Sequence, residues 1–330
     1  MTSQVTTVSL LATSSVLLCT CLVGNIFILE AIVSHHSQAS IWALPTNELI
    51  IGSLAMSNIL SGAFNFFWLM VYLLSLCQRA GGWLYQVLDF ATNTVSSTSF
   101  WYTASLSAFY TLKISSVSPP CLTHLMVQFP KAMPAILLFM LLACSIFSGP
   151  TIAYVRLKEP NGSDLHCGDY YEASGAYMTY SLAFNILGCV LPLVMLTICS
   201  VFLVASLCRH SRRMGGGPRA AVHLRVAKMA LVLFGFYALC VVCAQVSDDL
   251  YVATDGTGDW FVTYSLVQLI YSSGCPLVII WGTVRLQHRL LKLYNSLRCC
   301  KTLVLQDGST AADSPASPID TTRCSSPAVQ

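Results

Sequence analysis

Residues 196–237 read LTICSVFLVASLCRHSRRMGGGPRAAVHLRVAKMALVLFGFY. Two apolar runs flank a segment that carries Arg209, Arg212, Arg213, Arg219, Arg225 and Lys228, with a flexible break at Gly215-Gly216-Gly217-Pro218. An apolar run of ~20 residues is long enough to cross a bilayer core as a helix. Lys and Arg resist translocation, so the basic segment between two such runs marks the cytoplasmic side.

Working outward, seven runs can be drawn, at about 8–33, 47–76, 84–112, 131–154, 177–207, 223–246 and 260–284. With the N-terminus outside, fourteen of the seventeen Lys and Arg lie in cytoplasmic loops, at their helix boundaries or in the tail. They are the six above with Lys113, Lys131, Arg285, Arg289, Lys292, Arg298, Lys301 and Arg323; only Arg79, Arg156 and Lys158 lie outside. The expected fold is all-α: a seven-transmembrane-helix bundle with the topology of a G-protein-coupled receptor. The expected location is the plasma membrane, multi-pass, with the N-terminus outside and the C-terminus cytoplasmic. Residues 1–7 form the extracellular N-terminus, 8–284 the helical domain, 285–300 a membrane-surface helix and 301–330 a disordered cytoplasmic tail.

Of the 330 residues 55% are hydrophobic and only 9% charged, against about 25% charged in soluble domains. Charge is costly in hydrocarbon, which accounts for the difference. The net charge of +3 hides a segregation. Glu159, Asp164, Asp169, Glu172, Asp248, Asp249, Asp255 and Asp259 fall in or beside the outer loops. The inner face is basic, which suits anionic lipid headgroups and an acidic protein partner. Residues 1–7 lack a basic n-region and the following run is too long for a typical h-region, so an uncleaved anchor is expected.

Most of the fifteen cysteines lie within helices, where a free thiol behaves as a small apolar group. In this topology only Cys77 and Cys167 face the oxidising side, and a disulfide between them is one of two open alternatives. The second outer loop, 155–176, contains Asn161-Gly162-Ser163, an N-glycosylation acceptor. The third outer loop is 247–259 and the third inner loop 208–222. After the last span, Leu286, Leu290, Leu293 and Leu297 recur at helical spacing among Arg289, Lys292 and Arg298. That pattern suits a short amphipathic helix on the inner leaflet. Cys299 and Cys300 at its end are candidates for palmitoylation. The tail from 307 is rich in Ser, Thr, Pro and Ala.

The chemistry of an enzyme is missing. All seven histidines sit in loops or at helix ends, and no HExxH, paired helical aspartates or CxxC ligand set occurs. No catalytic function, metal, cofactor or nucleic-acid partner is expected. Ionisable groups at the bilayer midplane and inverted repeats, the marks of a transporter, are not visible either. Polar and aromatic residues do recur at helical spacing on three helices: Asp89, Asn93 and Ser96; Tyr177, Tyr180 and Phe184; Tyr264, Gln268 and Tyr271. Three such stripes at similar depth suggest a pocket between helices 3, 5 and 7. Pro192 and Pro276 interrupt helices 5 and 7, where neighbouring helices can satisfy the freed carbonyls.

The rhodopsin-like Asp-Arg-Tyr and Asn-Pro-x-x-Tyr signatures are absent. WYTASLSAFYTLKIS at 101–115, SLCRHSRRM at 206–214, HLRVAKMALVLFGFY at 223–237 and YSSGCPLVIIWGTVRLQ at 271–287 instead resemble segments of the type 2 (bitter) taste receptors. Gly24-Asn25-Ile26-Phe27-Ile28 resembles that family's helix 1 motif. The family's helix 2 arginine is Asn58 here, its helix 7 His-Ser pair is Cys275-Pro276, and its pocket Trp and Asn on helix 3 fall on Thr92 and Ser96. The chain reads as a divergent member.

The resemblance implies a chemoreceptor that takes small-molecule agonists from the outer side and activates a heterotrimeric G protein. The expected ligand-binding residues are Asp89, Thr92, Asn93, Ser96, Tyr177, Tyr180, Phe184, Tyr237, Tyr264 and Gln268. Tyr237 aligns with the family's mid-membrane tyrosine and is the expected moving contact. The expected G-protein face is Phe109, Tyr110, Lys113, Arg209, His210, Arg213, His223 and Lys228. Asp89 and the outer aspartates favour cationic agonists, because a negative mouth concentrates cations. A vomeronasal type 1-like pheromone receptor and a seven-span small-molecule transporter are the alternative readings.

Overall fold

The computed structural model describes residues 4–35, 44–76, 82–114, 120–157, 171–173, 175–213, 218–253 and 260–310. In chain order these form α1 (Gln4–His35), α2 (Thr46–Leu73), α3 (Gly82–Ile114), α4 (Pro120–Ser148), the short α5 (Thr151–Tyr154), β1 (Val155–Leu157) and β2 (Tyr171–Ala173). They continue as α6 (Gly175–Asn185), a π-helical turn (Ile186–Val190), α7 (Leu191–Arg213), α8 (Pro218–Ala253), α9 (Trp260–Gly282) and α10 (Val284–Thr310). One antiparallel ribbon interrupts the helices. It pairs Val155 with Ala173, Arg156 with Glu172 and Leu157 with Tyr171, inside the segment expected as the second outer loop.

Five helices among the described residues are long and apolar enough to cross a membrane: Val5–His35, Thr46–Leu73, Gln128–Ala153, Leu182–Ser206 and Val262–Gly282. Large apolar side chains cover their outer faces, among them Val8, Val16 and Val23 on α1 and Phe139, Leu142 and Ile146 on α4. Contiguous apolar surface on this scale marks membrane contact. α3 differs because its hydroxyls lower its apolar character. Those hydroxyls are covered by protein: Ser96, Ser97, Thr98, Ser99, Thr103, Ser105 and Ser107 are all buried. α3 packs against α2, α4 and α7 and so lies inside the helical unit.

Several boundaries differ from the sequence expectation. α4 starts at Pro120 and carries Pro130 and Pro134 inside it. Gly149 and Pro150 then divide it from α5. α7 reaches Arg213 and α8 begins at Pro218, where a missing N–H costs nothing because a first-turn donor has no helical acceptor. The expected third inner loop, 208–222, is therefore helical as far as Arg213 and again from Pro218. α8 continues to Ala253, so the expected third outer loop starts later than residue 247. α10 runs to Thr310, past Cys300, and residues 311–330 lie outside the described residues.

The chain divides into two units, Met1–Val284 and Arg285–Gln330. In the second, Leu290, Leu291, Leu293 and Tyr294 are exposed on α10 beside the exposed Lys292.

Pro276 and Pro192 are handled differently. Pro276 has no N–H for the carbonyl of Ser272 four residues earlier. Asn25 on α1 supplies the donor, its Nδ2 lying 3.3 Å from that carbonyl oxygen. Gly24 makes the approach possible, since a Cβ there would lie 3.0 Å from the Pro276 ring. At Pro192 the helix widens instead. The Leu191 N–H reaches back five residues to the Ile186 carbonyl. Within this turn the Cys189 carbonyl accepts the Tyr237 hydroxyl from α8 at 2.9 Å.

Candidate functional site

The polar residues of α3 do not face one pocket. Ser96 turns toward α2, where its hydroxyl lies 3.0 Å from that of Ser61 and receives Asn65 Nδ2 at 3.5 Å. Ser272 on α9 donates to the same Ser61 hydroxyl at 3.3 Å. Ser61, Ser96 and Ser272 thus tie three helices at one level. Below this hub Ser99 donates to Asn58 Oδ1 at 2.5 Å, and Cys21 on α1 donates to the Asn58 carbonyl at 3.3 Å. A Cβ on Gly62 would lie 2.9 Å from Cys21 Sγ, so glycine lets α1 and α2 close at this level.

One turn from the hub lie Asn65, Thr92 and Gln268, each four residues from its hub serine. α2 runs antiparallel to α3 and α9, so the offset carries all three in the same direction, about 5.4 Å along the axis. All three are buried, and Asn65 Oδ1, Thr92 Oγ1 and Gln268 Oε1 have no hydrogen-bond partner among the described residues. Asp89 Oδ2, a further turn out on α3, is likewise without one. With Asp89 ionised, three of these four oxygens can only accept a hydrogen bond, and the Thr92 hydroxyl can also donate one.

The next residue along α3 points elsewhere. Ser97 is ~100° around the helix from Ser96 and lines a partly open cavity of about 240 Å³ with Trp101, Met140, Ala143, Phe184 and Gly188. Its lining is almost wholly apolar, from α3, α4, α6, the π-helical turn and the start of α7. Two interhelical bonds bracket it. The Tyr102 hydroxyl donates to the Leu137 carbonyl at 3.1 Å, and the Tyr180 hydroxyl to the Phe147 carbonyl at 2.5 Å.

Between hub and cavity sits an aromatic cluster. Phe100, Tyr237 and Tyr271 are buried together, with ring centroids 4.7 Å apart for Phe100–Tyr237 and 4.9 Å for Phe100–Tyr271. The Tyr271 hydroxyl pairs with Thr103 Oγ1 at 2.5 Å. α3, α8 and α9, with the π-helical turn through Cys189, meet at this cluster.

The ten expected ligand residues are therefore divided. Thr92, Ser96 and Gln268 gather on the α2–α9 side, with Asp89 a turn away. Phe184 and Tyr180 stand at the apolar cavity, and Tyr237 belongs to the aromatic cluster. Asn93 and Tyr264 are half-buried. Tyr177 lies on α6, with its side chain outside the described residues. On the expected G-protein face, Lys113 Nζ stands 5.7 Å from the Phe109 ring centroid, a cation–π distance. Tyr110 is buried and Lys228 exposed. The side chains of Arg209, His210, Arg213, His223, Cys299 and Cys300 lie outside the described residues, as do Cys77, Asn161 and Cys167 altogether. The sequence reading missed Ser61, Asn65, Asn58, Ser99 and Ser272. The spacing of four between Ser61 and Asn65 was one visible signal, and the place of Asn58 at the family's helix 2 arginine position was another.

The model of the family Taste receptor protein (TAS2R) matches residues 1–298. The chain belongs to this family. Among its relatives is Taste receptor type 2 member 31 of Pan paniscus, 26% identical over 213 residues, covering 61% of this chain and 66% of the relative. Its counterpart in Homo sapiens is 26% identical over 208 residues, with the same shares. Taste receptor type 2 member 10 of Papio hamadryas is 25% identical over 228 residues, covering 67% and 73%. The chain thus spans just under two thirds of the first of these relatives. The family is one of receptors rather than enzymes, and with the apolar helices it makes this a multi-pass membrane protein.

Proposed function

We propose that this protein is a plasma-membrane chemoreceptor that binds small bitter compounds from the outer side and activates a heterotrimeric G protein. The family match over residues 1–298 carries the reading, since it takes in α1 to α9. In this reading α1, α2, α3, α4, the α6–α7 rod, α8 and α9 are the seven spans. The N-terminus is outside, and α10 lies on the inner leaflet with its exposed leucines in lipid. Asn161 carries a glycan, Cys77 and Cys167 face the outer side, and Cys299 and Cys300 accept acyl chains.

The agonist enters at the outer end of α3 and meets Asp89, Thr92, Asn93 and Gln268. Asp89 gives the site a negative end, so amine-bearing agonists are favoured. Tyr177 and Tyr264 wall the entrance, and Tyr180 and Phe184 stand on the far side of α3, at the apolar cavity. Tyr237 couples the site to α8, because its hydroxyl joins α8 to the π-helical turn. An agonist shifts the balance of two states by its differential affinity for them; here the active state is the one in which α8 swings outward at its inner end. That motion opens a basic face of Phe109, Tyr110, Lys113, Arg209, His210, Arg213, His223 and Lys228 to the G protein.

The test is agonist-evoked calcium in cells given this chain and a taste-type G protein, across a panel of bitter compounds. A concentration-dependent response that Lys113→Glu abolishes at unchanged surface expression is expected. Labelled solute uptake without any such signal would overturn the reading.

A further inference from the structure

The apolar cavity between α3, α4 and the α6–α7 rod is not needed for agonist entry, and its surroundings point to a different guest. We propose that it binds a single hydrocarbon chain of a bilayer lipid. The inference rests on the membrane-spanning reading above. α4 is the least buried of the five apolar spans. Phe139 and Phe147, which line the cavity, are also exposed on its outer face, next to Leu138, Leu142 and Ile146. The cavity wall is thus continuous with the surface that acyl chains cover. Its lining offers a chain no hydrogen-bonding partner beyond the Ser97 hydroxyl, and water needs two to four polar partners to settle in a cavity.

The shape follows from the sequence. α4 is fastened to its neighbours at Leu137 by Tyr102 and at Phe147 by Tyr180. Between these points about 15 Å of α4 presents the small Ala143 and Cys144 inward. Opposite, the π-helical turn bulges, and Gly188 lets it close on α3 at one edge of the cavity: a Cβ there would lie 2.8 Å from Ser97 Oγ. Small residues on one wall and a bulge on the other leave the gap.

The cavity, about 240 Å³ and partly open, admits a flexible segment of one chain. The chain would press on Leu187 and Gly188, beside the Cys189 carbonyl that Tyr237 holds.

The experiment incorporates the full chain into phosphatidylcholine nanodiscs in which one acyl chain bears a diazirine, then maps photolabelled residues by mass spectrometry. Labels on Met140, Ala143 or Leu187 are expected, in addition to those on the open face at Leu142 and Ile146. Ala143→Trp fills the gap and should cut the inner labels by roughly tenfold while sparing the outer ones. Ala143→Leu, a milder change, should cut them partway. Labels on the open face alone mean ordinary surrounding lipid and overturn the inference, while the membrane reading stands. A diazirine sterol that labels the inner residues where the acyl chain does not also overturns it. An unlabelled α4 overturns both.

Discussion

Two sides of one helix carry different media. On its α2 side α3 meets hydroxyls and amides: Ser96 with Ser61 and Asn65, Ser99 with Asn58. On its α4 side, one residue around, it meets a cavity walled by Trp101, Met140 and Phe184. The first side is fixed by directional bonds between helices, the second by bulk and shape. Directional contacts fail abruptly when one partner is removed, whereas an apolar wall tolerates a change of volume far better. A receptor needs both: a polar interior that distinguishes guests, and an outer flank that the bilayer can wet.

The contrast can be broken at graded points. Tyr271→Ala should do most harm, because it removes a fully buried ring from the aromatic cluster and the partner of Thr103. Loss of a buried aromatic costs about 3–5 kcal/mol, so the purified receptor should show little cooperative melting by tryptophan fluorescence. Asn25→Leu comes next. It strips the donor from the Ser272 carbonyl that Pro276 leaves open, a buried loss of about 1–3 kcal/mol. Restoring that donor by Pro276→Ala in the same chain should recover part of the loss, which a double-mutant cycle would read. Tyr180→Phe, on the flank, removes a single interhelical bond. Such bonds average about 0.6 kcal/mol in membranes, so the melt should barely move. A large shift there would mean that the flank also depends on directional bonding.

Much of this plan was legible in the sequence, and the failures have physical causes. Apolar length located the helices, because a spanning helix must hide every backbone group. Their ends were misplaced wherever polar residues continue a helix beyond the apolar run, as at Ser247–Ala253 in α8 and beyond Cys300 in α10. Repair by a neighbour, expected at both prolines, is found at Pro276, whereas Pro192 follows a π-helical turn; nothing in one helix alone shows either outcome. The polar stripe on α3 was real, yet it was assigned to one pocket. Periodicity tells which residues share a face, and only the register between helices tells what that face meets. Ser61 and Asn65 were overlooked for that reason, since their meaning depends on Ser96 and Ser272 lying opposite.

The central claim is that α3 turns its polar side into the bundle and its other side to the lipid flank, as an agonist-binding interior requires. Paired Ser96→Ala and Ser97→Ala variants test it most directly, because the same two atoms are removed one residue apart. Each would be melted in identical nanodiscs and compared with the unaltered chain. The account predicts that Ser96→Ala loses about 1 kcal/mol, having removed the hydroxyl that meets Ser61 and Asn65, while Ser97→Ala stays within about 0.5 kcal/mol. Equal losses, or a larger loss at Ser97, would contradict it.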